Sequence, residues 1–166
     1  RHPAARRPAD QALAIARRSD IGPFGVIALV IALGLQVVGL AIALTRGQGV
    51  LALIVAVIAG RVAITIACTR GIPAARPDGL GATVAGTVPR TAAILWAVAL
   101  LAIAIGLGIV SGTWTSAAAA AGAALLSTAI GLRIAIRRLG GITGDVLGAL
   151  AEITATTTLV VIALVP

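Results

Sequence analysis

Apolar residues fall in five blocks separated by short polar stretches: Val26–Leu44, Val50–Cys68, Ala92–Val110, Ala117–Ile136 and Val146–Val165. A helix needs about 20 apolar residues to cross the hydrocarbon core of a bilayer. Helices are the spanning form that satisfies backbone polar groups within one segment, so the pattern predicts an all-α, polytopic transmembrane bundle of about five spans. Little chain is left between the blocks, and residues 26–166 are expected to form one transmembrane helical domain. Residues 1–25 differ, with Arg1, Arg6, Arg7, Arg17 and Arg18 set among Asp10 and Asp20. There Ala9–Arg18 predicts a short interfacial helix lying on the membrane surface, with Leu13 and Ile15 on its apolar side. Ile21-Gly22-Pro23-Phe24-Gly25 then reads as the turn into the first span.

Charge orients this pattern. All 13 basic residues are arginine, and they alternate between loops: Arg70, Arg76 and Arg90 lie in 69–91, Arg133, Arg137 and Arg138 lie around 133–145, and none lies in 111–116. The positive-inside rule then puts the N-terminus and the loops 69–91 and 137–145 in the cytoplasm, with the C-terminus outside. Usage rich in Ala, Val, Gly and Arg suggests a GC-rich bacterial genome, hence a bacterial inner membrane. The net charge of +8 does not imply nucleic acid, because an aromatic content of 2% leaves no platforms for base stacking. Cys68 is the single cysteine, so an internal disulfide is ruled out and a small apolar filler is expected. The chain opens on Arg1 without a signal peptide, as expected of a processed chain or a piece of a longer one.

Candidate chemistry gathers on the expected cytoplasmic side, where Ser19–Gly25, Arg76–Gly81 and Gly140–Asp145 are polar and glycine-punctuated. Gly140-Gly141-Ile142-Thr143-Gly144-Asp145 leads into an apolar helix carrying Asp145 and Glu152, two of only five acids. Seven residues make about two turns, so the two carboxylates share a face roughly 10 Å apart along the axis. Acids in lipid are costly and are seldom kept without a partner, cation or substrate. Asp145 and Glu152 are therefore the metal candidates, for Mg²⁺ held by one or two carboxylates together with substrate phosphates. The competing readings are a helix cap for Asp145 and a salt bridge from Glu152 to the intramembrane Arg61. Gly144 and Gly148 form a GxxxG step that could admit a second helix or a ligand. Arg76 could grip a phosphate, with Asp78 as a metal ligand or base, although turn chemistry alone explains Pro77, Asp78 and Gly79. Arg61 either snorkels or turns inward to a diphosphate. Ala117–Ala124 suits close helix packing, and Thr154, Thr156, Thr157 and Thr158 are expected to bond back to their own helix. Motifs for an NTPase, a serine hydrolase or a zinc site are lacking.

Three segments together resemble the cobalamin synthase (adenosylcobinamide-GDP ribazoletransferase) family: Ala14–Gly25, Ala75-Arg76-Pro77-Asp78-Gly79-Leu80-Gly81, and Gly140–Ala149 with Glu152. The resemblance implies a Mg²⁺-dependent inner-membrane enzyme joining adenosylcobinamide-GDP to α-ribazole, or its 5′-phosphate, with release of GMP. It implies Asp145 and Glu152 for metal, Arg76 and Arg61 for phosphate, and Asp78 as a second ligand or base. Gly141 and Thr143 would line the substrate, with Ser19 and Asp20 at the rim. The expected partners are the two small-molecule substrates and the lipid bilayer, with a homo-oligomer left open. The chain corresponds to about the C-terminal two thirds of such an enzyme. An aspartate- and glycine-rich motif with further ligands is expected upstream, and without it this chain alone is not expected to be active. A phospho-alcohol transferase of lipid synthesis uses similar metal-and-diphosphate logic. A transporter or scaffold subunit would instead place polar residues mid-membrane in several spans.

Overall fold

The computed structural model describes residues 23–165, all of whose long elements are helices. In chain order these are α1 (Pro23–Thr45), α2 (Gly49–Ala67), α3 (Gly79–Val84), α4 (Arg90–Ser111), α5 (Trp114–Leu139) and α6 (Gly144–Leu164). Five of them are long and apolar enough to cross a membrane, and each covers one of the expected blocks. Most ends extend one to three residues beyond those blocks, because residues such as Arg90 and Arg138 ride on the polar ends of helices, whereas α2 and α6 stop one residue short, at Ala67 and Leu164. The short α3 is new: the connection expected as a plain loop contains one further turn and a half of helix. The expected interfacial helix, and with it Ser19 and Asp20, lies outside the described residues.

α6 is the centre of the bundle, packing against α1, α2 and α5, while α4 closes against α2 and α5. Small residues make this possible. Ala117, Ala120, Ala121 and Ala124 of α5 are fully buried, as the alanine run predicts, against Val55, Ala56 and Ala59 of α2 and Ile162 of α6. In lipid, helix association relies on such close contact, since the surrounding tails are as apolar as the side chains. The outward faces carry Val37, Leu95 and Val110, all exposed. A second cluster (Cys68, Leu132, Ile142, Leu147, Leu150) sits at the end of the bundle where Arg70, Arg76 and Arg138 lie. That end is called the basic face below. Gly140, at φ +81°, ends α5 in the left-handed conformation and turns the chain into the motif that opens α6.

Candidate active site

The long connection between α2 and α4 is tied at its base. Arg70 N–H donates to the Val88 carbonyl at 2.8 Å, and Val88 N–H donates to Cys68 at 3.1 Å. Its middle then docks on the glycine-rich turn before α6. Ala75 N–H donates to Ile142 O at 2.9 Å and Ile142 N–H to Pro73 O at 3.0 Å, a parallel bridge between residues far apart in sequence. Two glycines permit it. A Cβ on Gly141 would strike the Pro73 carbonyl oxygen, and one on Gly81 would lie 2.6 Å from Ile142 O. Both clashes are with backbone, so neither position tolerates a side chain without separating the segments. Leu80 then packs beside Gly144, which joins α3 to the start of α6.

This clasp brings together the Arg76–Gly81 and Gly140–Asp145 motifs. Arg76 follows directly after the bridge, and among the described residues its buried Nε and Nη2 have no hydrogen-bond partner. Buried polar groups are almost always satisfied, and an unpaired guanidinium costs several kcal/mol at order of magnitude, so this fork calls for an anion. Asp78 is exposed at the start of α3 and does not cap it through its side chain. Thr143 caps α6, its hydroxyl accepting from Val146 N–H at 3.2 Å. Asp145 is thus not the cap, and its carboxylate stands exposed in the first turn, where the helix dipole favours a negative charge. Gly141 and Thr143 are buried, so they shape the floor of the clasp.

Glu152 lies two turns deeper, half-buried, and its partner is not Arg61. Gln36 of α1 donates its amide to Glu152 Oε1 at 2.6 Å and to Thr156 Oγ1 at 2.9 Å. The helix geometry explains why Arg61 is absent. Gly60 faces the Ala151 carbonyl of α6, and the next residue points about 100° away. Arg61 is accordingly exposed in the cleft with Trp96 of α4 and is not brought to the clasp. Of the GxxxG step, Gly144 meets Leu80 of α3 while nothing lies within 4 Å of a Cβ on Gly148, and the tighter approaches in this region fall at Gly81 and Gly141. Thr156, Thr157 and Thr158 bond back to carbonyls one turn earlier, as expected. Thr154 instead meets the Thr128 hydroxyl at 3.0 Å.

Among the described residues no three His, Cys, Asp or Glu side chains gather in a metal cage. The donor set suits Mg²⁺ only in its open mode, with one or two carboxylates completed by water and phosphate oxygens. Asp145 is exposed for this role, and Glu152 would offer its Oε2 while Oε1 accepts the Gln36 amide. Sequence reasoning missed Gln36 and the Pro73–Ala75 cradle. The sole hint was that Gln36 and Glu152 are the rare polar residues inside spans.

Residues 4–163 match the family described as cobalamin-5-phosphate synthase. The chain is similar to proteins named adenosylcobinamide-GDP ribazoletransferase from several bacteria. It is 43% identical to that of Frankia casuarinae over 95% of this chain and 59% of the relative. For Nocardioides sp. the identity is 36%, over 90% and 55%, and for Bradyrhizobium diazoefficiens 38%, over 88% and 54%. The chain thus spans somewhat more than half the length of these relatives. No solved structure matches it.

Proposed function

Because the chain belongs to the cobalamin-5-phosphate synthase family, we propose that it forms the larger part of a membrane transferase of late cobalamin biosynthesis. The reaction joins adenosylcobinamide-GDP to α-ribazole, or its 5′-phosphate, and releases GMP. A ribazole hydroxyl oxygen attacks the phosphorus attached to cobinamide, the bond from that phosphorus to the GMP oxygen breaks, and the hydroxyl proton passes to a base. Phosphoryl transfer asks mainly for positioning and for charge on the phosphates. The observation that carries this reading is the buried fork of Arg76, unpartnered among the described residues, on the segment that the Ala74–Ile142 bridge docks against the turn leading to Asp145.

In this reading Arg76 grips the diphosphate in the bidentate manner that suits guanidinium. Asp78 takes the proton or serves as a second ligand, and Gly141 and Thr143 hold the floor of the site. Asp145, with Glu152 behind it, would hold Mg²⁺, which supplies charge neutralisation on the diphosphate when bound. Arg61 is not among these groups. The basic face is read as cytoplasmic and the membrane as a bacterial inner membrane, on the distribution of arginines.

The test uses membranes carrying the full-length gene product, supplied with both substrates and Mg²⁺. One GMP should appear for each cobamide formed, and Asp145→Asn should slow both together. GMP release without cobamide, or full activity in Asp145→Asn, would overturn the reading.

A further inference from the structure

We propose that the cleft between α2 and α4 is a binding site for an anionic phospholipid, with the headgroup at the basic face and an acyl chain along the helices. At that face the cleft opens into a groove of about 460 Å³. Ile66 of α2 and Ala93, Ile94 and Ala97 of α4 form its apolar walls, Arg70 and Arg90 stand at its mouth, and no acid among the described residues lines it. Arg90 Nε donates to the Arg70 carbonyl at 3.3 Å, which holds this guanidinium over the opening, and Arg70 is itself exposed beside it. α4 starts here without a side-chain cap and without an acid in its first turn, so its dipole adds to the positive field.

A second, smaller cleft between the same two helices lies deeper along α2, lined by Thr65, Arg61 and Trp96. Thr65 and Thr69 bond back to the Arg61 and Thr65 carbonyls, so this wall offers little that is polar except arginine. Arg61 lies six residues before the end of α2 at Ala67, about 9 Å along the helix, and a snorkelling arginine recovers roughly half of that. An arginine exposed on the outside of a span is costly unless an anion reaches it. Two cations at the mouth, an apolar wall below and a third cation reaching up match a phosphate carrying acyl chains. A free phosphate would use the mouth and leave the wall uncovered.

Brominated lipids test this through tryptophan quenching in bilayers, using the full-length protein. Trp96 borders the cleft, and Trp114 opens α5 at the opposite end of the bundle, so Trp114→Phe and Trp96→Phe variants report the two places separately. Brominated phosphatidylglycerol should quench Trp96 in clear preference to brominated phosphatidylcholine, and should quench Trp114 no better than it. A surface arginine contributes on the order of fivefold in affinity for anionic lipid, so Arg70→Gln and Arg90→Gln should each remove about that much of the preference. Arg70→Gln removes no hydrogen bond of the fold, since Arg90 uses the Arg70 backbone. Equal quenching of Trp96 by both lipids, an unchanged preference in both variants, or its loss to millimolar inorganic phosphate would overturn the proposal.

Discussion

Gly141→Ala should open the clasp while leaving the bundle intact. The added methyl group meets the Pro73 carbonyl oxygen and lies 2.8 Å from both Ala74 C and Ala75 N. These are backbone atoms with no side chain to swing aside, so the two segments must part. Parting breaks the Ala75–Ile142 and Ile142–Pro73 hydrogen bonds, each worth about 0.5–1.5 kcal/mol. It also uncovers Ile142, fully buried here, whose complete exposure would cost about 1.5–3 kcal/mol. With partial exposure the sum is about 2–4 kcal/mol, equivalent to a roughly 30- to 1,000-fold shift in the closed population. Hydrogen–deuterium exchange in nanodiscs reads this directly: the amides of Ala75 and Ile142 should lose protection by that factor, with α2 and α5 exchanging as before. Gly148→Ala is the control, since nothing lies within 4 Å of its Cβ. Protection of Ala75 and Ile142 within twofold of the parent protein would refute the reasoning.

Gln36→Leu leaves the Glu152 carboxylate without its partner inside a span and should lower stability by about 1–3 kcal/mol, read as a drop in melting temperature in detergent. Adding Glu152→Leu should restore most of the loss, because removing both members of a buried pair is close to neutral. Thr128→Val breaks the buried hydroxyl pair with Thr154 and should cost about 1 kcal/mol in the same assay, with Thr128→Ser milder. Ala124→Leu forces a large side chain into a fully buried helix contact and should cost about 1–3 kcal/mol.

The spans were legible because an uninterrupted apolar block has one physical solution in lipid, and the alanine run of α5 announced its close packing. What the sequence hid were pairings across distance. Gln36 and Glu152 are 116 residues apart, and which helix faces they occupy depends on packing that no local pattern states. The bridge between Ala74 and Ile142 joins two irregular segments without strand periodicity. The glycines around it looked like turn residues, and Gly144 and Gly148 looked like the contact step. The closest approaches fall at Gly81 and Gly141 because the α2–α4 connection, with the short α3 inside it, lies over the turn before α6. Arg61 could have faced either way; one step of 100° past Gly60 settles it.

The most direct test of the proposed diphosphate grip is the KM for adenosylcobinamide-GDP in full-length Arg76→Gln. A charged hydrogen-bonded contact is worth about 1.5–3 kcal/mol, so that KM should rise roughly 10- to 150-fold while the KM for α-ribazole stays unchanged. Parent-like affinity for adenosylcobinamide-GDP in Arg76→Gln would contradict the account.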